Sequence, residues 1–376
     1  MKKLFLLIWE NPKSHQTIFP IVKKLSKSFR IYLISRLDKK IDNLDKKDTN
    51  FSHYCHQKEV KYSKNSQIIN KFYLMYFLLY SLMKIILHQP KYTYIINKYP
   101  LLIVFFIKTF SNSKIIYHNF DYDPKNKNFF HFLLKKIEKK VAKYLYLVIF
   151  SHEKRANKFL NDAKIKKKYL IFNNSLSLDY YKKYMKKKNH INFTKKKLFY
   201  FGSIGPGHAL NNIIMSFKYL ENNVYLTIYG WVVDYNYYKK IKKLIIENNL
   251  SKNVSIKLDV KDYVWKQEIL KNHLGIALYE NTSLSHKYMF TASQKINAYI
   301  AANIPVLVTK SRDNKKFIDK YNCGVCTSLD PKMIAKNINL SLKSKKKYLT
   351  LKKNTNKAFK KVFNFENQFK KIENEL

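Results

Sequence analysis

Residues 291–306, TASQKINAYIAANIPV, hold residue types that could bind an anion. Ser293 can cap the N-terminus of a helix, and Lys295 falls in the first turn of that helix. Unpaired N–H groups and the helix dipole favour an anion at such a place, so a diphosphate would suit it. Because a first-turn lysine is normally exposed, we expect Lys295 to reach such a ligand. Ordinary packing of a helix on a sheet explains the same pattern equally well.

The neighbouring residues predict the elements that would hold this lysine. Residues 292–302 have helix-forming composition, Asn303 is a favoured residue just after a helix, and Pro305 cannot continue one. Residues 306–309 have the apolar character of a short buried strand. The sequence therefore predicts a helix that turns tightly into a strand.

A glycine-containing loop, GSIGPGH at residues 202–208, is a second candidate for ligand binding. It follows a predicted strand and precedes a predicted helix, a context in which glycines let backbone N–H groups approach a phosphate or a sugar. His208, at the start of the helix, would then face a diphosphate. The spacing differs from the dinucleotide-binding fingerprint, and a tight turn between strand and helix is an equal alternative.

Two polar segments follow predicted strands in the first half of the chain. His118 and Asp121 come at the end of one strand, where open α/β sheets place their ligands, and such a pair can orient an acceptor hydroxyl and take its proton. Capping of the loop by Asp121 is the alternative. Residues 10–15, ENPKSH, follow the first strand and should lie at the same edge, where we assign them only a capping role.

Strands and helices alternate along both halves of the chain, which predicts parallel sheets. Residues 1–174 and 197–345 each have the pattern of a Rossmann-like domain. Residues 37–66 are polar and predict a long loop, and the lysine-rich residues 175–196 predict an interdomain linker. The tail, residues 346–376, has the pattern of one helix.

Taken together, these segments resemble the family 4 glycosyltransferases. Residues 291–306 are similar to that family's donor-site segment, commonly S-P-x-K-x-x-E-Y-x-A-x-G-x-P-V. Residues 199–230 resemble the segment that opens its donor domain, and residues 151–175 resemble the end of its first domain. The resemblance implies a GT-B fold, an α/β architecture of two Rossmann-like domains facing across a cleft, with the tail helix packing back on the first domain.

The same resemblance implies a function. The second domain would bind a UDP- or GDP-sugar as co-substrate, and the first would bind a glycan or lipid-linked acceptor, in surface polysaccharide or glycolipid synthesis. Retention of anomeric configuration and no required metal or other cofactor are implied as well. The acceptor hydroxyl would meet His118 and Asp121 as catalytic residues. The implied donor-binding residues are Gly202, Ser203, Gly207, His208, Gly230, Ser293, Lys295 and Tyr299.

The chain departs from the family pattern at four positions. The two glutamates that usually contact the donor would fall at Ala298 and Phe290, so that carboxylate contact is missing. Asn303 stands where the family has a helix-ending glycine, and His208 stands where many members have an arginine. A non-catalytic scaffold of GT-B type is therefore an alternative to an enzyme.

The formal net charge of +48 raises the question of a nucleic-acid partner. Almost all of this charge is lysine, since the arginines are only Arg30, Arg36, Arg155 and Arg312, and recognition of phosphates and bases prefers the bidentate guanidinium. The composition is typical of an A/T-rich coding sequence. We therefore expect no nucleic-acid partner, although a nucleic-acid binder driven by its lysines is the alternative that the net charge alone favours. An anionic membrane face is a second kind of partner that the lysines could attract.

Two predicted helices bear on that membrane partner. The helix at 127–144 has an apolar row, which is a core face in the simplest interpretation, and lysines elsewhere on its surface. The helix at 67–88 contains a mainly apolar run, residues 72–83, that is too short to span a bilayer. We expect a cytoplasmic protein that could lie on the inner face of the plasma membrane.

The cysteines are Cys55, Cys323 and Cys326, and no second pair or spaced histidines complete a zinc set. We expect reduced structural thiols.

Overall fold

The computed structural model describes residues 1–36, 55–61, 66–120, 129–179, 193–260, 262–282 and 284–376. The chain divides into two compact units, and we call the first unit Met1–Asn174 with Phe369–Leu376 and the second unit Ser175–Gln368. Each unit is a parallel sheet with helices packed on it. The predicted α/β architecture of two Rossmann-like domains is confirmed.

The first unit has a seven-stranded sheet in the order β3-β2-β1-β4-β5-β6-β7, and every pairing is parallel. Its central strands are continuous apolar runs because parallel strands are covered on both faces. The strands are β1 (Lys2–Ile8), β2 (Phe29–Arg36), β3 (Cys55–Val60), β4 (Tyr92–Ile96), β5 (Lys114–Asn119), β6 (Leu147–Phe150) and β7 (Tyr169–Ile171).

Strand β3 corrects part of the predicted loop at residues 37–66. Its sequence, CHQKEV, is polar because it is the edge strand of the sheet and only one neighbour covers it. Apolar alternation, the signal on which the prediction relied, is therefore absent. Residues 37–54 and 62–65 of the predicted loop lie outside the described residues.

The first unit carries five α-helices in the described part of Met1–Asn174. They are α1 (Ile18–Leu25), α2 (Gln67–His88), α3 (Val104–Phe110), α4 (Phe129–Val141) and α5 (Glu153–Ala163). The chain moves outward from β1 to β2 and β3, then returns to β4 on the other side of β1. Because crossovers between parallel strands are right-handed, we expect α2 to α5 on one face of the sheet and α1 on the other. Contacts between α2 and α3 and between α4 and α5 agree with this arrangement. The strand order thus reverses between β1 and β4.

The second unit has a six-stranded parallel sheet in the order β10-β9-β8-β11-β12-β13. Its strands are β8 (Lys196–Ile204), β9 (Val224–Val232), β10 (Val254–Leu258), β11 (Leu274–Ala277), β12 (Val306–Thr309) and β13 (Gly324–Thr327). Its helices are α6 (Leu210–Ser216), α7 (Tyr235–Glu247), α8 (Asp262–Glu268), α9 (Leu284–Lys287), α10 (Gln294–Ala301), α11 (Arg312–Tyr321), α12 (Pro331–Ser341) and α13 (Lys345–Lys361). The strand order reverses between β8 and β11.

The tail holds two helices where one was predicted, α13 and then α14 (Phe365–Glu373). Asn364 accounts for the break, because its Oδ1 accepts the N–H of Asn367 at 2.8 Å and so starts a new helix. Helix α13 belongs to the second unit, whereas the chain end belongs to the first. There Tyr92 Oη donates to the carbonyl of Leu376 at 2.7 Å.

The predicted linker at 175–196 begins within the second unit, where Phe365 N–H donates to the carbonyl of Leu176 at 3.0 Å. Residues 180–192 lie outside the described residues.

Both cysteines of the second unit are free thiols, as expected. Burial raises the pKa of Cys323 to about 12 and that of Cys326 to about 11, so neither forms a thiolate near neutral pH.

Helix α2 is longer than the apolar run from which the sequence prediction argued. In the described part of the chain, Ile68–His88 is the one helix long and apolar enough to cross a membrane by length and composition alone. One side of this helix packs inside the first unit: Leu74, Phe77 and Ile85 are buried, and the ring of Phe77 lies 5.2 Å from that of Trp9.

Candidate functional site

Lys295 lies at the start of α10, on the edge of the second unit's sheet where strands β8 and β11 end. Ser293 caps the helix as predicted, since its Oγ accepts the N–H of Ile296 at 3.2 Å. The predicted end of the helix is also confirmed, with Asn303 in the left-handed conformation at φ 57°. The helix cap and the helix end therefore determine the backbone position of Lys295.

The expectation that Lys295 is exposed was wrong. Only 5% of it is accessible, because its side chain runs inward and its Nζ lies 3.7 Å from the ring centre of Tyr200 and 5.2 Å from that of Tyr279. Burial holds the pKa of Lys295 well below its usual range. Within the described residues its Nζ has no hydrogen-bond partner. Aromatic faces attract a cation but do not replace its hydrogen bonds, so the amine is left for an anionic ligand to satisfy.

Gly202, at the end of β8, makes room for this lysine. It has φ +138°, a conformation that side chains avoid, and a Cβ placed there would lie 3.1 Å from Lys295 Cε and 3.3 Å from its Nζ. The loop at 202–208 and the lysine, both predicted from sequence as donor contacts, are therefore brought together by the fold.

His208 lies beside Lys295 and the glycine loop, but its imidazole is not permanently charged. Its Nε2 shares a hydrogen bond with Ser203 Oγ at 2.6 Å, whereas its buried Nδ1 has no partner among the described residues. Burial, then the charges of Lys295 and His286, lower the pKa of His208 to about 2. The imidazole is thus neutral near neutral pH until a ligand supplies negative charge.

Sequence reasoning missed four residues that complete this cluster. His286 lies with its ring centre 5.4 Å from that of His208, and its Nδ1 shares a hydrogen bond with Thr282 at 2.9 Å. Tyr279 bonds Ser293 Oγ at 2.8 Å, and the N–H of Glu280 donates to the carbonyl of Gly207 at 3.0 Å. These residues lie in the segment 279–286, YENTSLSH, which has no periodicity or motif that indicates a site.

Two predicted donor contacts are structural residues in this arrangement. Tyr299 is fully buried. Its hydroxyl accepts the N–H of Phe201 at 3.1 Å and donates to the carbonyl of Ile276 at 3.2 Å, so it links β8 to β11. A Cβ at Gly230 would collide with the carbonyl of Gly202, so this glycine allows β8 and β9 to pair.

The positions of the two family glutamates lie in the core. Ala298 and Phe290 are 2% and 4% accessible, and the ring of Phe290 packs 4.0 Å from that of Phe317. Both side chains are part of the apolar core of the second unit.

His118, a predicted catalytic residue, is fully buried in the first unit. Its Nδ1 bonds Tyr94 Oη at 2.8 Å, its ring centre lies 4.2 Å from that of Phe120, and burial lowers its pKa to about 3. In this structure the side chain of His118 is therefore closed off from solvent. Asp121, its predicted partner, lies outside the described residues.

Other polar groups occupy the edge of the first unit where β1 and β4 end. Glu10 accepts from Asn97 Nδ2 at 2.8 Å and pairs with His15, whose ring stacks 4.9 Å from that of Phe120. Burial would raise the pKa of Glu10, but its bonds to His15 and Asn97 lower it overall. The side chain of Glu10 is 29% accessible, so its ionised carboxylate can be reached from solvent. It lies where the strand order of the first unit reverses, which is the usual ligand position in such sheets.

No group of three or more potential metal-ligating side chains occurs within the described residues.

Comparison with known proteins agrees with this architecture. Residues 216–367 match the family described as Glucosyltransferase 3-like, C-terminal domain. HepE of Anabaena in complex with UDP has a TM-score of 0.75 to this chain at 12% identity, covering 99% of this chain and 98% of that one. HepE in complex with UDP-glucose gives a TM-score of 0.72 at the same identity and coverage.

Two other solved structures are similar over nearly the full length. A glycosyltransferase from Rickettsia africae gives a TM-score of 0.73 at 12% identity, covering 100% of this chain and 98% of that one. WaaG, a glycosyltransferase involved in lipopolysaccharide biosynthesis, gives 0.66 at 12% identity, covering 98% of each chain. A sequence search of curated proteins found no significant match.

The chain therefore has the fold of GT-B glycosyltransferases, and its match to the Glucosyltransferase 3-like C-terminal domain lies within the second unit. The assignment to family 4 stays a prediction.

Proposed function

We propose that this protein transfers a hexosyl group from a nucleotide-sugar, UDP-glucose or a related UDP-sugar, to a glycan or lipid-linked acceptor. One observation carries the proposal: a buried lysine without a hydrogen-bond partner in the described residues lies against the glycine loop at the edge of a glucosyltransferase-like domain. An anion that enters this place satisfies both the amine and the backbone N–H groups of the loop.

The chemistry follows from where charge develops. When the bond between the sugar and the diphosphate breaks, negative charge grows on the leaving phosphate oxygen. Lys295 and the imidazole of His208 are already positioned beside the loop, so they stabilise that charge without moving. Electrostatic stabilisation of this kind needs no metal ion to bridge the phosphates, and we include metal independence and retention of configuration in the proposal on the strength of the family resemblance.

The acceptor is proposed to bind at the edge of the first unit beside Glu10. The partly accessible carboxylate of Glu10 is available there and is held in place by Asn97 and His15, whereas His118 is buried. A surface polysaccharide or glycolipid precursor on the cytoplasmic face of the membrane is the acceptor class that we propose. WaaG, which has the same fold, acts in lipopolysaccharide biosynthesis.

Glu10→Gln should lower transfer to the acceptor by roughly 10²-fold, the lower range for loss of a positioned proton acceptor, and leave UDP-glucose affinity unchanged. The measurement is transfer of radiolabelled glucose to a membrane lipid extract, with slow hydrolysis of UDP-glucose as the internal reference. Glu153→Gln, on an exposed first helical turn, is the matched control. Full transfer activity in the Glu10 variant would remove this carboxylate from the acceptor site.

Binding of UDP-glucose should take up protons. The pKa values of Lys295 and His208 are low in the free protein, and a bound diphosphate raises them, so the complex holds more protons than the free protein. By linkage, affinity then falls as pH rises. UDP-glucose suits the test because its phosphates are diesters and do not titrate near neutral pH. Calorimetry in buffers of different ionisation enthalpy measures the uptake, and an uptake of zero would contradict protonation of either group.

A non-catalytic scaffold is the second candidate, because the two family glutamates are replaced by buried apolar residues. Both candidates predict UDP-sugar binding, so only turnover separates them. Steady release of UDP from UDP-glucose in the presence of a membrane lipid extract supports the enzyme. Tight binding of a UDP-, GDP-, dTDP- or CMP-sugar without release of its own nucleotide supports the scaffold.

A further inference from the structure

Helix α2 has apolar residues on two opposite sides. At 100° per residue, the buried side chains Leu74, Phe77, Leu78 and Ile85 form one stripe, which packs inward. The opposite stripe is exposed, with Phe72 71% and Leu87 66% accessible. Its members are Ile68, Phe72, Met75, Leu79, Met83 and Leu87. A helix that is apolar all round is normally covered on every side.

Helices α3 and α4 extend this exposed stripe into a larger surface. They share one side of the sheet with α2, and aromatic contacts join the elements: the Tyr99 ring lies 6.4 Å from that of Phe130, and the Phe105 ring lies 6.3 Å from that of Tyr144. Large exposed side chains here are Phe105, Phe106, Phe110, Phe129 and Phe132. We call the exposed side of α2, α3 and α4 the outer face.

The outer face is positively charged. No Asp or Glu occurs between Val60 and Phe120, and the one acid in α4, Glu138, is buried and accepts a hydrogen bond from Tyr117 Oη at 2.5 Å. Exposed lysines among the apolar residues are Lys71, Lys108, Lys136, Lys140 and Lys143. Bulky apolar side chains among lysines match the interface of a bilayer that carries anionic lipids.

We propose that the outer face docks on the surface of an anionic lipid bilayer. A second copy of this chain fits poorly, because it would bring two lysine-rich faces together in a protein of net charge +48. A spanning role for α2 fits poorly too, since its inner stripe packs in the core of the first unit. Docking along the surface leaves that core intact and covers the exposed stripe. This inference does not depend on the proposed sugar transfer.

The test is co-sedimentation of the full chain with vesicles at about 0.1 M salt, where charges within about 10 Å of the surface still act. One set of vesicles contains phosphatidylglycerol and phosphatidylcholine in equal parts, and the other contains phosphatidylcholine alone. The apolar variant combines Phe72→Ser, Leu79→Ser and Met83→Ser. The charge variant changes Lys136, Lys140 and Lys143 to Gln.

Matched controls make the same kinds of change on exposed sites of the second unit. They are Ile246→Ser, Leu340→Ser and Leu349→Ser for the apolar variant, and Lys316→Gln, Lys336→Gln and Lys346→Gln for the charge variant. Thermal unfolding checks that every variant folds. Because all these positions are exposed, we expect unchanged unfolding temperatures.

The unaltered chain and both controls should bind the anionic vesicles, prefer them to neutral ones and be released by high salt. Each outer-face variant should bind at least about tenfold more weakly, since each lysine near an anionic surface contributes about fivefold in affinity. Equal binding by the outer-face variants, or no binding by the unaltered chain, overturns the proposal. A dimer in light scattering that the apolar variant abolishes, without vesicle binding, would instead assign the outer face to a second copy.

Discussion

Replacing Lys295 by Met should make the protein more stable while removing most of its affinity for UDP-glucose. The lysine amine is buried without a hydrogen-bond partner in the described residues, so an apolar side chain of similar length relieves a desolvation penalty. We expect a gain of about 1–3 kcal/mol in the free energy of unfolding, the cost of an unsatisfied buried polar group. Loss of a charge-assisted bond to the diphosphate should cost about 1.5–3 kcal/mol of binding.

The pH dependence of that stability gain distinguishes its cause. Because burial lowers the folded pKa of Lys295 below the unfolded value of about 10.4, the penalty is full only below the folded pKa, declines as the pH rises toward the unfolded value and is gone above it. The stability advantage of the Met variant should therefore shrink steadily as the pH is raised from neutral toward pH ~11. Urea unfolding and calorimetry measure the two effects. Lys320→Met, an exposed lysine near the end of α11, is the control and should change neither. Unchanged UDP-glucose affinity in Lys295→Met would remove the lysine from the site.

Gly202→Ala should weaken both folding and donor binding. The backbone at φ +138° is strained for any side chain, which costs about 1–3 kcal/mol of stability. The new methyl group would also press on Lys295 at 3.1 Å from Cε, and we expect at least a tenfold loss of UDP-glucose affinity if the amine is displaced.

A double-mutant cycle separates these two causes. If Gly202 acts on binding through Lys295, then adding Gly202→Ala to Lys295→Met should cost little further affinity, since the interaction is already gone. Isothermal calorimetry of the two single variants and the double variant measures this coupling. Fully additive losses would show that Gly202 contributes to binding by a route independent of the lysine.

Local chemistry allowed much of the fold to be predicted. Ser293 as a helix cap and Asn303 as a left-handed turn after the helix depend only on residues a few positions away, and both were confirmed. The alternation of strands and helices likewise predicted two parallel sheets. Strand β3 was missed because an edge strand lacks the apolar alternation on which such a prediction depends.

The surroundings of the site residues could not be predicted in this way. Lys295 is buried because Tyr200 and Tyr279, distant in sequence, meet over its side chain. Glu10 gains its proposed role because β1 and β4 are neighbours, which brings Asn97 to it from 87 positions away. His118 had the right residue type at a strand end, but its neighbours Phe120 and Phe172 close over it. Such contacts depend on strand order, which a single sequence does not encode locally.

Thermal unfolding of the unaltered chain against a concentration series of UDP-glucose tests the central claim most directly, since a ligand that binds only the folded state raises its stability with concentration. We predict an unfolding temperature that climbs steadily with UDP-glucose in the unaltered chain and in Lys320→Met. Lys295→Met should start from a higher temperature and stay nearly flat over the same series. A flat response in the unaltered chain to UDP-, GDP-, dTDP- and CMP-sugars alike, or an equal climb in Lys295→Met, would contradict a nucleotide-sugar site at this lysine.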